Sequence, residues 1–235
     1  MNKPKMIFFD YGQTLVGESP YNQEKGFAEV LKYAKANPDN VSAKETADLY
    51  KKTRERIWLS NSANIEAHSH FLMRYVMEYY NIEFDFDYDR VEQIFWENAV
   101  DFIALDGIDK VLDTLYKNNI RTAVISNIDY SEKTLKRIID RFIPNHHFEY
   151  IIASSEYIFR KPDHEIFDIA LRKAGISACD AWYIGNDEYY DVEGACKNGF
   201  KAFWYTGSEF YKPKRVPECE HIRIEKWSDF ASFLA

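Results

Sequence analysis

Short apolar runs alternate with segments of helical periodicity along much of this chain, and that alternation leaves few architectures open. Strands are predicted at residues 6–9, 122–125, 150–153, 181–184 and 201–205, and helices at 108–116, 131–142, 164–174 and 192–198. A strand followed by a helix and another strand builds a parallel sheet with helices packed on its faces. The sequence therefore predicts an α/β fold with a doubly wound, Rossmann-like parallel sheet.

A different pattern interrupts this alternation between about residues 21 and 102. Apolar residues there recur at helical spacing in four successive stretches, with no strand between them. One of the turns between these stretches is predicted at residues 61–64, where Asn and Ser cluster. We therefore expect a core formed by residues 1–17 and 104–235, and an α-helical cap domain formed by residues 18–103.

Polar residues stand directly after several of the predicted strands. The carboxyl ends of parallel strands share one edge of a sheet, where α/β proteins bind their ligands. The residues expected at that edge are Asp10, Gly12, Ser126, Asn127, Lys161, Asn186, Asp187 and Asp191. Any single residue of this kind is usually part of a turn or a helix cap. Four such groups in succession, each following a strand, instead predict one common site.

These residue types suit phosphoryl transfer through an acyl phosphate. A carboxylate such as Asp10 attacks phosphorus, while Lys161 and nearby hydroxyl and amide donors stabilise the equatorial oxygens. A divalent ion is needed to offset the repulsion between the attacking carboxylate and the phosphate, and oxygen ligands of this kind suit Mg²⁺. The residues therefore predict a Mg²⁺-dependent reaction with an aspartyl-phosphate intermediate.

The sequence also resembles the haloacid dehalogenase superfamily, whose members share four motifs in this order. Residues 7–15 (IFFDYGQTL), 124–127 (VISN), 160–163 (RKPD) and 184–195 (IGNDEYYDVEGA) look like those motifs. The resemblance implies a phosphatase with an α-helical cap, inserted between the first and second motifs, that closes over a small phosphorylated metabolite.

The resemblance also implies roles for individual residues. Asp10 would be the nucleophile and a metal ligand, and the Gly12 carbonyl would be a second ligand. Ser126 and Asn127 would bind the substrate's phosphate group, and Lys161 would bridge that phosphate and the nucleophile.

Gly12 departs from the family's pattern, since many members carry a general acid two residues after the nucleophile. Without that acid, phosphates with poor leaving groups should turn over slowly, because proton transfer is typically worth about 10² to 10⁴ in rate. The replacement Gly12→Asp should then help poor leaving groups more than good ones. A histidine from the cap would flatten the leaving-group dependence if it supplied the proton.

The fourth motif departs as well, because Asn186 stands where a metal-binding aspartate is usual. Its side chain offers a neutral carbonyl oxygen instead of a carboxylate. By the resemblance Asp191 would support the metal site, and we expect Asp187 or Asp191 to supply the missing charge.

Two other functions stay open. Dehalogenases of the superfamily also lack the acid and need no metal, so a 2-haloacid dehalogenase is one alternative. A catalytically weak protein that binds a phosphometabolite or a protein partner is another, and both departures favour it. Turnover of a phosphate ester by the purified protein, dependent on added metal, would separate the enzyme from the binding protein.

Composition narrows the partners and the compartment. The net charge is −8 and the chain has no cluster of basic residues, so we expect no nucleic-acid polymer among its binding partners. No run approaches the roughly 18 apolar residues of a membrane span, and no signal peptide is evident, so we expect a cytoplasmic monomer or dimer. The three cysteines lack metal-type spacing, and we expect reduced thiols.

The cap residues best able to contact a substrate are Arg54, Arg56, His68, His70 and Arg74.

Overall fold

The computed structural model describes residues 3–60 and 64–234, although not the side chains of residues 59 and 60. Its strands are β1 (Met6–Phe9), β2 (Val16–Glu18), β3 (Phe102–Ala104), β4 (Arg121–Ser126), β5 (Ile151–Ala153), β6 (Ala181–Gly185), β7 (Lys201–Tyr205) and β8 (His221–Ile224). Its helices are α1 (Gln23–Leu31), α2 (Ala43–Ser60), α3 (Ser69–Tyr79), α4 (Tyr88–Ala99), α5 (Ile108–Lys117), α6 (Glu132–Phe142), α7 (His164–Ala174), α8 (Gly194–Lys197) and α9 (Trp227–Ala231). None of the helices described is long and apolar enough to cross a membrane.

Six strands form one sheet in the order β5-β4-β1-β6-β7-β8, and neighbouring strands are all parallel. Along the chain, β4 and β5 are added on one side of β1, and β6, β7 and β8 are then added on its other side. Ile7 and Phe8 of β1 point to opposite faces, and both are fully buried because helices cover both faces. The predicted doubly wound α/β fold is confirmed.

The elements of the predicted alternation are all present, with small shifts at their ends. The helix predicted at 192–198 begins earlier, as a π-helical turn at Glu188–Glu193 that continues into α8. Asp187 caps this turn, because its Oδ1 accepts hydrogen bonds from the N–H groups of Tyr189 and Tyr190. The sequence does not predict β2, β3, β8 or α9, which are too short to show a clear periodicity.

Helices α1 to α4 lie between β2 and β3 and pack around an aromatic core. Phe27, Tyr50 and Phe95 are fully buried there, with ring centroids 4.7 to 5.8 Å apart. The chain enters this helical segment through β2 and leaves it through β3, and these two strands pair antiparallel. The division into core and cap domains stays a prediction. Residues 61–63 of the predicted turn lie outside the described residues.

The cysteines correct the expectation of three reduced thiols. Cys196 and Cys219 are joined by a disulfide, whereas Cys179 is a free, exposed thiol. Cys219 stands just before β8, which pairs with β7, so the chain returns past α8, where Cys196 lies. Spacing in the sequence does not reveal this pairing, because it depends on a strand that the sequence does not predict.

Candidate active site

The carboxyl ends of β1, β4 and β6 open into one cavity of about 190 Å³. It lies where the strand order reverses, between β1 and β6, which is where doubly wound sheets bind ligands. The residues that line it are Asp10, Gly12, Glu18, Ser126, Asn127, Ile128, Arg160, Lys161, Asn186, Asp187, Tyr190 and Asp191. The structure therefore brings together all the residues that the sequence predicted for the site, while their chemical roles stay predictions.

Lys161 is the cation at the centre of this cavity, and it is only 1% exposed. Its Nζ donates to Asp10 Oδ1 at 2.7 Å and to Asp191 Oδ1 at 2.6 Å. The same nitrogen lies 2.8 Å from the Tyr183 hydroxyl and 3.0 Å from the Ile125 carbonyl oxygen. With acceptors on several sides, the ammonium group is fixed between the two carboxylates.

Burial dominates the electrostatics of the two carboxylates. It raises the pKa of Asp10, and the charge and hydrogen bond of Lys161 oppose that rise. Burial also raises the pKa of Asp191, and the neighbouring Asp10 carboxylate adds to the rise. One ammonium group therefore does not fully offset the burial of both carboxylates.

Asn127 holds the main chain of Lys161 in place. Its side-chain oxygen accepts from the Lys161 N–H at 2.8 Å, and its side-chain nitrogen donates to the Lys161 carbonyl at 2.9 Å. The Asn127 side chain is therefore already paired. Ser126, at the end of β4, is buried and lines the cavity.

Three groups converge beside the nucleophile candidate, namely Asp10 Oδ2, the Gly12 carbonyl oxygen and the Asn186 side-chain amide. The Asn186 amide nitrogen is placed to donate to the Gly12 carbonyl oxygen at 2.8 Å and to Asp10 Oδ2 at 3.2 Å. If the same amide turned by 180°, it would instead present Oδ1 beside these two acceptors, an arrangement that a bound cation would stabilise. Neighbouring ligands of an octahedral Mg²⁺ at about 2.1 Å are about 3 Å apart. With the Asn186 amide turned in that way, the three oxygens would have the spacing of part of such a shell, so the donor set fits Mg²⁺.

The two acidic residues of the fourth motif have different partners. Asp191 Oδ2 accepts from the Asp187 N–H at 2.9 Å, in addition to its contact with Lys161. Asp187 caps the π-helical turn, and its Oδ2 accepts from the Tyr211 hydroxyl at 2.9 Å. The expectation that one of them supplies charge to a bound ion stays a prediction.

Gly185 gives Asp191 room to reach Lys161, and we expect Gly185→Ala to destabilise the fold. A Cβ at residue 185 would overlap the Cβ and Cγ of Asp191, so the Asp191 carboxylate would have to move away from Lys161. Overpacking of this kind costs about 1 to 3 kcal/mol, measurable by urea denaturation. Gly17→Ala is the matched control, because its Cβ would lie at an ordinary 3.4 Å from Leu105 Cδ2. Equal effects of the two replacements would contradict this expectation.

A second cavity, of about 170 Å³, adjoins the first on the side of the helical segment. The two cavities share Glu18, Asn127, Ile128 and Arg160. In the second cavity Arg54 Nε donates to Asp129 Oδ2 at 3.2 Å. The Arg160 guanidinium lies 4.5 Å from the ring centroid of Trp58, and its Nη1 lies 3.4 Å from Glu66 Oε2. This second cavity is suited to the part of a substrate that extends beyond the first.

Of the five cap residues predicted to contact a substrate, Arg54 lines the second cavity. In the described part of the chain, the other four line neither cavity. His68 instead caps α3, where its Nδ1 accepts from the His70 N–H at 3.1 Å. Arg56 and Arg74 are exposed on the helical segment.

Glu18 lines both cavities, although no sequence pattern singles it out. The chain turns back after β1, with the Gln13 N–H donating to the Val16 carbonyl at 2.8 Å, so that β2 passes over Gly12. The Tyr130 hydroxyl donates to Glu18 Oε1 at 3.3 Å. Burial raises the pKa of Glu18 to about 7.

Comparison with known proteins gives one family and several relatives. The chain matches the sequence profile of the family described as haloacid dehalogenase-like hydrolase over residues 7–205. It is similar to human haloacid dehalogenase-like hydrolase domain-containing protein 3, with 31% identity over 122 residues that cover 51% of this chain and 47% of that protein. The chain thus spans about half the length of this curated relative.

Two further matches extend over nearly the whole chain. Glyceraldehyde 3-phosphate phosphatase of Pyrococcus furiosus is 23% identical over 221 residues, which cover 89% of this chain and 84% of that enzyme. A crystal structure of 2-haloacid dehalogenase from Pseudomonas syringae superposes with a TM-score of 0.63 and 19% identity, over 100% of this chain and 98% of that one. At this identity the structural match shows a shared fold.

Proposed function

The chain belongs to the haloacid dehalogenase-like hydrolases, and from this membership we propose that it is a Mg²⁺-dependent phosphatase of a small phosphorylated metabolite. The observation that carries the proposal is the convergence of Asp10 Oδ2, the Gly12 carbonyl oxygen and the Asn186 side-chain amide beside a buried lysine. The two oxygens, together with Asn186 Oδ1 once its amide turns, would hold the ion. An acyl-phosphate route needs a nucleophile, a bound divalent metal ion and a cationic side chain. In this cavity Asp10 would be the nucleophile, Lys161 is the cationic side chain, and the groups named above would bind the metal ion.

In the proposed reaction, Asp10 attacks the substrate's phosphorus atom through Oδ1, the oxygen that already contacts Lys161. Bound Mg²⁺ would supply positive charge between the carboxylate and the phosphate. Lys161 orients the attacking oxygen and neutralises charge that develops on the phosphate. The product of this first step is an aspartyl phosphate on Asp10, which water then hydrolyses.

The phosphate group would be held by donors at the end of β4. The Ser126 hydroxyl and the Asn127 main-chain N–H are the groups proposed for this role, because the Asn127 side chain already pairs with Lys161. The helical segment, residues 18–103, would act as a cap that excludes water during the transfer.

Substrate size is limited by the adjoining cavity of about 170 Å³, which accommodates only a small group beyond the phosphate. A relative named glyceraldehyde 3-phosphate phosphatase supports a short phosphorylated metabolite as the substrate class. Small sugar phosphates, phosphorylated hydroxy acids and glyceraldehyde 3-phosphate are therefore the first compounds to assay. The measured kcat/KM values would rank them.

A 2-haloacid dehalogenase is the competing enzyme, because dehalogenases of this superfamily also lack the acid that Gly12 replaces. The convergence of Asp10 Oδ2, the Gly12 carbonyl and the Asn186 amide favours the phosphatase, because these groups can hold a metal ion, whereas displacement of halide by a carboxylate needs none. Release of halide from a 2-haloacid in the absence of divalent ions would favour the dehalogenase instead.

Removal of divalent ions should lower turnover of p-nitrophenyl phosphate by at least about 10²-fold, because a bound ion contributes several kcal/mol to such transition states. Excess Mg²⁺ should restore the rate, whereas the larger and more flexibly coordinated Ca²⁺ should not. The readout is release of p-nitrophenol after treatment with a chelator. Full activity in the chelator would refute the metal requirement. Mg²⁺ binding without turnover of any phosphate ester would point to the phosphometabolite-binding alternative.

A further inference from the structure

The space beside Gly12, where the family's general acid usually stands, holds a carboxylate from elsewhere in the chain. A Cβ built on Gly12 would lie 3.3 Å from Glu18 Oε2 and 3.8 Å from the Glu18 carboxyl carbon. An aspartate side chain at residue 12 would therefore compete with the Glu18 carboxylate for the same space. The missing side chain and the additional carboxylate are thus spatially complementary.

Glu18 also stands where a proton donor would be needed. It lines the cavity that contains Asp10 and Lys161, and it lines the adjoining cavity of about 170 Å³ as well. A phosphate ester could bind with its phosphorus at Asp10 and its organic part in the second cavity. The ester bond that is broken would then lie where the two cavities meet. Glu18 lies at that junction.

The Glu18 carboxylate is held in position by its strand and by the hydroxyl group of Tyr130. Its main-chain carbonyl accepts from Gln13 Nε2 at 2.7 Å, and β2 pairs with β3. The Tyr130 hydroxyl donates to Oε1, which leaves Oε2 as the oxygen that faces Gly12. A carboxylate fixed in this way can transfer a proton from Oε2 to an atom bound beside Gly12.

Other acidic residues near the second cavity are already paired with arginines. Asp129 Oδ2 lies 3.2 Å from Arg54 Nη2, and Glu66 Oε2 lies 3.4 Å from Arg160 Nη1. Neither acid lines the cavity with Asp10. Among the described carboxylates, Glu18 is the one that lines both cavities.

We propose that Glu18 is the general acid and base of this enzyme, in place of the aspartate that Gly12 replaces. The inference rests on the proposed phosphatase function. In the first step the ester P–O bond breaks as the Asp10 oxygen bonds to phosphorus, and Glu18 gives its proton to the departing oxygen, which leaves as an alcohol. In the second step Glu18 takes a proton from water, the water oxygen bonds to phosphorus, and the bond from phosphorus to Asp10 breaks. Inorganic phosphate leaves, and both residues return to their starting forms.

The first test is Glu18→Gln, assayed on an alkyl phosphate and on p-nitrophenyl phosphate with Mg²⁺. We expect kcat/KM for the alkyl phosphate to fall by about 10²-fold or more, because its alkoxide leaves poorly without a proton. The value for the aryl phosphate should fall much less, since that leaving group needs no proton. Hydrolysis of the aspartyl phosphate still needs a base, so a burst of p-nitrophenol and a labelled phosphoprotein should appear.

Two matched variants separate catalysis from support of the fold. Glu97→Gln removes a carboxylate from the exposed face of α4 and should leave both substrates unaffected. Tyr130→Phe removes the hydrogen bond to Oε1 but keeps the acid, so it should lower alkyl phosphate turnover by a small factor of about 2 to 10 and aryl phosphate turnover less. A purely structural role for Glu18 predicts that Glu18→Gln lowers both rates equally, without a burst, and that result would overturn the proposal.

The second test moves the carboxylate back to residue 12. Glu18→Ala should lose alkyl phosphate turnover, and Gly12→Asp added to it should recover at least part of that loss, because the space beside residue 12 is then free. Gly12→Asp alone should not produce the gain expected from the sequence, since Glu18 occupies that space. If Glu18→Ala and Glu18→Gln both keep the wild-type ratio of alkyl to aryl turnover, the Glu18 proposal is wrong while the phosphatase stands. If the wild-type protein hydrolyses neither ester with Mg²⁺, the phosphatase proposal fails, and the Glu18 proposal with it.

Discussion

Asp10→Asn should lower kcat/KM for p-nitrophenyl phosphate by about 10⁴- to 10⁶-fold, because the covalent route disappears with the nucleophile. The change replaces one oxygen by nitrogen and keeps the shape of the side chain. Lys161 retains its 2.6 Å contact with Asp191, so no buried ammonium group is left without an anion. The variant should therefore fold normally, with a melting temperature close to that of the wild type.

The matched control is Asp39→Asn, which makes the same chemical change at an exposed turn. It should leave both rate and stability unaltered. Labelling with a ³²P-phosphate ester should mark the wild-type protein in an acid-quenched reaction and leave Asp10→Asn unmarked. Wild-type rates in Asp10→Asn would remove the basis for the proposed function.

Lys161→Met should have the second largest effect, and it should act on stability as well as on rate. Asp10 and Asp191 both lie within 2.7 Å of Lys161 Nζ, and the replacement leaves two buried carboxylates without their shared cation. Removal of one partner from a buried ion pair costs about 3 to 5 kcal/mol of unfolding free energy. Loss of a charged group that stabilises the transition state should lower kcat by about 10³-fold.

A second substitution separates these two effects of Lys161. Lys161→Met combined with Asp191→Asn should recover part of the lost stability, because one of the two unpaired charges is gone. It should recover none of the activity. Urea denaturation and steady-state kinetics give the two readouts, and Lys110→Met on the exposed face of α5 is the control. No loss of stability in Lys161→Met would show that the ion pairs contribute little to the folded state.

The sequence predicts the sheet and the strand-end residues because both depend on local patterns. A buried strand is a short apolar run, and a parallel sheet brings the residues after each run to one edge, so Asp10, Lys161 and Asp191 meet as expected. Knowledge of the chain order alone suffices for that inference. No contact between side chains is needed.

Other parts of the site depend on contacts that no local pattern encodes. Glu18 reaches Gly12 only because the chain turns sharply after β1, and a three-residue strand has too little periodicity to be predicted. The Asn127 side chain looks available in the sequence but is paired with the Lys161 main chain, 34 residues away. The bond between Cys196 and Cys219 likewise depends on where β8 lies.

The pairing of β2 with β3 has a consequence for how chains of this kind can diversify. These strands hold the two ends of the helical segment side by side, so residues 18–103 form a loop whose ends are already joined by the pairing of β2 with β3. The entropy of closing a loop rises only with the logarithm of its length, by about 0.6 kcal/mol for each doubling. A segment of another length could therefore replace this one during evolution with only a small change in the free energy of folding. Since Glu18 lies on β2, an exchange beyond that strand would alter the substrate preference and leave the proposed acid in place.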